Sequence, residues 1–293
     1  MSKILIATGD RLEQLGRRLR RRGQRAEVVR RVTIADLESA GWAGIEPTFV
    51  LSTGRAGTRL LTELLEASMS VDAWHVPRPE LVRSSRLAFE RGDAEPAVFD
   101  EVLKASREEL IVEAARRGHR YVETNNRITF FAPAALRCFP DARFIHLVRH
   151  PADIVRSGMR RGWYEGGHAH DIGRIRPAPE DVPDWEARDR IWKIGWMWNA
   201  TCAFVERHLG DLPAERLVTV RAEDLFADAD VASGLLDFCG ATPPPRAAVE
   251  ARLERPVNAQ ATGSFPRLED WTEEQRSLLR DAAPLAGRYG YTI

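Results

Sequence analysis

Arginine, glycine and threonine crowd into one short stretch, Phe49-Val50-Leu51-Ser52-Thr53-Gly54-Arg55-Ala56-Gly57-Thr58-Arg59-Leu60-Leu61. An apolar strand pattern runs into a glycine-bearing turn and straight on into a helical pattern, the arrangement of a phosphate cradle. Gly54 and Gly57 open backbone conformations denied to other residues, so successive N–H groups can point at one anion, backed by the helix start after Thr58. Arg55 and Arg59 add fixed positive charge. No Gly-Lys-Ser/Thr follows, so this is not the loop that places a lysine and Mg²⁺ on a nucleoside triphosphate; backbone amides, Thr58 and arginine would hold the anion. Strand-Gly-helix turns also serve packing alone, and a second signal is needed.

That signal lies at Ala142 to Arg161. Arg143-Phe144-Ile145-His146-Leu147-Val148 reads as a buried strand, followed by Arg149-His150-Pro151 and an amphipathic helix through Ser157. Ligands of open α/β sheets bind outside the carboxyl ends of the strands, so Arg149 and the first loop would share one rim. Pro151 fits the first turn of a helix, where its missing N–H costs nothing. Ser157 lies two turns further on, within reach of the same anion.

With both motifs in hand, the chain resembles the sulfotransferases that use 3′-phosphoadenosine-5′-phosphosulfate. Thr53 to Leu60 is similar to that family's 5′-phosphosulfate loop, with Arg55 where Lys or Arg stands and Arg59 where Thr or Ser is usual. Arg149-His150-Pro151 and Ser157 resemble its 3′-phosphate motif, with His150 in place of Asn or Asp. Phe139 to Ile145 is similar to the lead-in of that motif, and Val220 to Leu225 to a Tyr-Glu-Asp-Leu segment in which Arg221 replaces Tyr. Asn258, Gly263 and Trp271 look like the loop over the adenosine side, without its usual Lys-Gly run.

The resemblance implies an α/β, P-loop-like three-layer fold with a central, mainly parallel sheet flanked by helices. It implies that Arg55, Ala56, Gly57, Thr58 and Arg59 cradle the 5′-phosphosulfate and that Arg149 and Ser157 hold the 3′-phosphate. Arg55 would stabilise the charge that builds on the leaving nucleotide; an arginine stays protonated near neutrality, so its role is electrostatic. No metal is expected. A hydroxyl acceptor profits from a general base, and His75, in His75-Val76-Pro77-Arg78-Pro79-Glu80, is the first choice, with Glu80 and Glu123 behind it. The expected reaction is sulfuryl transfer to a hydroxyl of a small molecule or sugar. A P-loop kinase and a nucleotide-binding regulator without catalysis are the competing readings.

Other elements must position these residues. Tyr121-Val122 starts a short strand that ends in the polar cluster Glu123-Thr124-Asn125-Asn126-Arg127, which suits a pocket floor or the cap of a following helix with Pro133 in its first turn. Phe99 to Arg117 and Trp185 to Leu209 show helical spacing, and Trp192, Trp196 and Trp198 read mainly as core, with one of them free to face the acceptor. Gly162 to Asp184 carries Gly, Pro and two histidines without periodicity and is expected to be a substrate-side lid loop. His168 and His170 alone do not complete a metal site.

The 293 residues suit one main α/β domain over 47–293, preceded by an extension, 1–46, with a short strand at 3–7 and a strongly basic helix at 11–31 that reads as a solvated face or a dimer arm. A homo-oligomer is left open. Lys plus Arg equals Asp plus Glu at 43 each, which argues against a general nucleic-acid binder. The three cysteines, Cys138, Cys202 and Cys239, read as core thiols of a reducing compartment, and no run is long enough to span a membrane, so a cytoplasmic location is expected.

Overall fold

A computed structural model describes residues 45–167, 169–255 and 264–293. The expected strand at 3–7, the basic helix at 11–31, His168, Asn258 and Gly263 lie outside the described residues.

Five parallel strands form the centre: β1 (Thr48–Leu51), β2 (Val71–Trp74), β3 (Arg120–Glu123), β4 (Arg143–Val148) and β5 (Leu217–Arg221), in the order β2-β3-β1-β4-β5. Alternate side chains of the central strands enter separate cores. Phe49, Leu51 and Phe144 pack with Tyr121, Phe139 and Trp198 on one face, while Val50, Ile145 and Leu147 pack with Leu61, Leu65 and Leu236 on the other. A parallel sheet covered on both faces has this composition, and it makes the three layers expected from the resemblance.

Helices α1 (Thr58–Leu65), α2 (Val82–Arg91), α3 (Pro96–Arg116), α4 (Ala132–Cys138), α5 (Pro151–Met159) and α6 (Arg190–Leu209) follow in chain order. The expected 99–117 helix is α3. The expected 185–209 helix is split: residues 185–187 form a separate 3-10 turn, and α6 starts where Asp189 accepts the N–H of Ile191 as its N-cap. Strand β2 falls just before the histidine loop. After β5 come α7 (Ala222–Ala227), α8 (Ala229–Phe238), α9 (Arg246–Leu253) and α10 (Glu273–Ala282). The three cysteines are free and buried, and among the described residues no helix is long and apolar enough to cross a membrane.

From β1 the chain crosses to the edge strand β2 and returns to β3 beside β1 on one side, then continues through β4 and β5 on the other. The loops leaving β1 and β4 therefore part at the switch point of the sheet, where open α/β folds leave a crevice.

Candidate active site

A cleft of about 430 Å³ opens at the carboxyl edge of the sheet. Segments following all five strands reach it: Ser52 to Leu60 after β1, His75 and Val76 after β2, Asn126 and Arg127 after β3, Arg149 after β4, and Phe226 beyond β5. Six arginines line it, Arg55, Arg59, Arg127, Arg149, Arg161 and Arg174, and no Asp or Glu is among the described lining residues.

The β1 loop owes its shape to left-handed backbone. Gly54 has φ 81°, Arg55 φ 61° and Gly57 φ 92°. At Gly57 glycine is required twice over, because a Cβ would also stand 2.7 Å from the Phe226 ring. Gly57 is the N-cap of α1, and no side chain caps that helix, so its first-turn N–H groups are presented to the cleft's edge. Ser52 and Thr129 fasten the loop's entry: the Ser52 N–H donates to Thr129 Oγ1 at 3.0 Å and the Gly54 N–H to Ser52 Oγ at 3.1 Å.

Arg55 Nε donates to Ser157 Oγ at 3.1 Å, joining residues 102 positions apart. Burial first, then the neighbouring charges of Arg161 and Arg149, pull its pKa down to about 10, leaving a charged guanidinium near neutrality. Arg149 clasps the same loop, with Nη1 donating to the Arg55 carbonyl at 3.0 Å and Nη2 to Asp153 at 2.8 Å, while Phe226 lies 5.6 Å from its guanidinium. The buried Trp198 indole donates to the Arg149 carbonyl at 2.8 Å.

His150, the departure from the usual Asn or Asp, does the work those residues would do. Its Nδ1 accepts the Ala152 N–H at 3.2 Å and caps α5, so Nε2 carries the proton and donates to the Thr292 carbonyl at 3.1 Å. Glu223 accepts the His150 N–H at 3.0 Å and the Tyr291 hydroxyl at 2.8 Å. The segment resembling Tyr-Glu-Asp-Leu thus buttresses the turn that carries Arg149.

His75 is exposed in the cleft and its state follows from hydrogen-bond accounting. Thr62 Oγ1 donates to the Thr58 carbonyl at 2.8 Å, so its oxygen accepts from the Thr124 hydroxyl; Thr124 Oγ1 in turn accepts from His75 Nδ1 at 3.0 Å. The proton sits on Nδ1 and the Nε2 lone pair is left to accept another. Partial burial chiefly, and then Arg59, lower the His75 pKa, so the ring is neutral near pH 7.

The two carboxylates expected behind His75 have other employment. Glu123 is fully buried, bound by Arg107 Nε at 2.6 Å and Nη2 at 2.9 Å, by the Tyr121 hydroxyl at 2.8 Å and by Asn125 at 3.0 Å, and it does not line the cleft. Its charge is matched to a buried guanidinium, and separating such a pair costs about 3–5 kcal/mol. Glu80 pairs with Arg127 Nη1 at 2.9 Å and also lies off the lining. The 123–127 cluster accordingly divides: Asn125 caps the 3-10 turn at 126–131, while Asn126 and Arg127 reach the cleft.

The 162–184 loop supplies a wall through Trp163, His170, Arg174 and Ile175. The tryptophan at the cleft is Trp163, whereas Trp192, Trp196 and Trp198 do not line it. Phe226 and Arg161 gave no sequence signal of a site role, Asn126 and Arg174 only that of the polar cluster and the loop that carry them, and Glu223 only the segment likeness around it. Ala56 is buried beneath the loop, so only its backbone could serve an anion.

The model of the Sulfotransferase family matches residues 47–245. Among solved structures, the sulfotransferase domain of the Synechococcus PCC 7002 olefin synthase is 17% identical, with 86% of this chain and 98% of that one covered at a TM-score of 0.49. A sulfotransferase from Alicyclobacillus acidocaldarius is 16% identical, with 85% and 97% covered at 0.49. A search of curated proteins finds no match.

Proposed function

The chain belongs to the sulfotransferase family, and from that premise we propose that it moves a sulfuryl group from 3′-phosphoadenosine-5′-phosphosulfate to a hydroxyl of a small-molecule or carbohydrate acceptor. One observation carries the reading: two motifs 94 residues apart, Arg55 and Arg149, close on one another through the Arg149–Arg55 carbonyl bond in a cleft with no carboxylate among its described lining residues. Such a lining fits a ligand with several negative charges and suits a Mg²⁺-nucleotide poorly, because Mg²⁺ is held through carboxylates and phosphate together.

When bound, the donor supplies an activated sulfuryl group and a phosphate leaving group. Loop amides from Ala56 to Arg59 and the Thr58 hydroxyl hold the anion at the start of α1. Arg55 stabilises the charge that grows as the bond to the leaving group breaks. Arg149 and Ser157 bind the nucleotide's remaining phosphate, with Trp198, His150 and Glu223 fixing the turn on which Arg149 sits. His75 Nε2 takes the proton of the acceptor hydroxyl, and Thr124 holds the ring in the tautomer that leaves Nε2 open.

The soluble enzyme's first test is calorimetric titration with adenosine 3′,5′-bisphosphate against ATP plus Mg²⁺. Tight bisphosphate and weak ATP binding is the expected outcome; the opposite preference would return the kinase reading.

A further inference from the structure

Resting on the sulfotransfer reading, we propose that the acceptor carries a negatively charged group besides the hydroxyl that receives the sulfuryl, and that Arg174 binds it. The donor's phosphates account for the arginines around the β1 and β4 loops. Arg127 and Arg174 line the same cleft from other elements, the 126–131 turn and the 162–184 loop.

Arg174 is built as a fork. Its guanidinium lies 4.0 Å from the Trp163 ring centroid, its Nε donates to Asp171 at 2.6 Å, and its side chain is only 11% exposed. Stacking and the Nε bond fix the plane of the group, while among the described residues no hydrogen-bond partner takes its two Nη groups. Asp171 does not compete for them across the cleft, because its oxygens also face the Tyr164 and Gly166 amides at 3.4 Å. The loop comes close enough for this only because residue 173 is glycine: a Cβ there would stand 2.1 Å from the Val82 carbonyl oxygen.

Two carboxylates, Asp171 and Glu80, pair with two of the three arginines here, Arg174, Arg127 and Arg161. Arg127 spends Nη1 on Glu80 and directs Nη2 to His170 Nδ1 at 3.0 Å. Arg161 also lines the cleft, and among the described residues its buried Nε has no partner. Burial foremost, and the Arg127 charge, work against the protonated form of Arg174 despite Asp171. A fixed, partly desolvated guanidinium with open Nη donors is suited to a carboxylate, phosphate or sulfate, which it can bind in two-point fashion. A neutral sugar face would leave those donors poorly matched.

The test titrates the full chain, with and without saturating adenosine 3′,5′-bisphosphate, with 4-(hydroxymethyl)benzoate, its neutral amide, and glycerol 3-phosphate against glycerol. The charged member of each pair is expected to bind about tenfold or more tightly, a preference that falls to within about twofold in Arg174→Gln while bisphosphate affinity stays unchanged. Arg174→Lys should keep part of it. Preference in the benzoate pair alone assigns a carboxylate, and in the glycerol pair alone a phosphate. Equal binding of charged and neutral probes would overturn the proposal, as would discrimination that survives in Arg174→Gln or a loss of bisphosphate affinity there, which would hand Arg174 to the donor. Failure of the bisphosphate itself to bind would count against the sulfotransfer reading, and the probes without it still decide the anion site.

Discussion

The two walls of the cleft are made in different ways. The wall proposed for the donor consists of two compact strand-loop-helix units whose groups lie close together in sequence and, in the β1 loop, are largely backbone. The acceptor wall gathers single side chains from the loops after β2 and β3 and from the 162–184 segment, each held by tertiary partners: His75 by Thr124, Arg127 by Glu80, Arg174 by Asp171 and Trp163. A wall of backbone amides recognises an anion shared by a whole family, whereas a wall of isolated side chains can be changed one residue at a time. Under the proposed function, this difference would separate a common donor from an individual acceptor.

Substitutions should divide along the same line. Arg55→Ala is expected to give the largest effect, a fall of about 10³-fold in turnover with the melting temperature little changed, as befits loss of one preorganised donor to a developing charge. A smaller loss than tenfold would place the charge stabilisation elsewhere on the donor wall. His75→Ala should lower turnover by about 10²-fold and leave adenosine 3′,5′-bisphosphate affinity intact. Arg149→Ala should do the converse and weaken that affinity by about 10- to 100-fold in a folded protein; calorimetry on both variants would break the two-wall division if either result crossed over.

Finer changes sharpen it. Thr124→Val removes the acceptor of His75 Nδ1–H and should cost about tenfold in turnover, with unchanged bisphosphate affinity. An acceptor on Nδ1–H favours the charged ring, so its loss should also move the acid limb of the rate profile to lower pH. The smallest effect is expected from Arg59→Gln. A base must be neutral, so activity rises with pH through the His75 pKa; removing the positive neighbour raises that pKa, and the limb should move to higher pH by less than about one unit with the plateau kept. A limb that stays put in both variants would show that His75 is not the titrating group.

Much of the donor wall was legible in the chain because its physics is local. Left-handed turns need Gly54 and Gly57, the helix after Thr58 follows from spacing, and β4 is a run of apolar residues that ends on Arg149. Apolar runs likewise gave β1, β3 and β4, but not β2, a four-residue strand beside a proline-rich loop, nor β5, nor the break before α6; the three-layer fold followed from the family resemblance. Glu123 misleads for a physical reason: a carboxylate at the carboxyl edge of a strand looks available until Arg107, 16 residues earlier, is seen to bury with it. The tryptophans of α6 signal core correctly, yet Trp163, in a loop without periodicity, is the one that meets the cleft.

By itself the sequence determined the glycine-bearing turn after β1, the apolar strand that ends at Arg149 and the positive charge around both, since each depends on residue type and near-neighbour spacing. Tertiary structure alone decided that His75 holds its proton on Nδ1, that Glu123 and Glu80 neutralise arginines, and that the His150 ring reaches the Thr292 carbonyl. Those outcomes hang on which side chains meet across 16 to 142 positions of chain, and packing around a shared sheet, rather than any local preference, selects them.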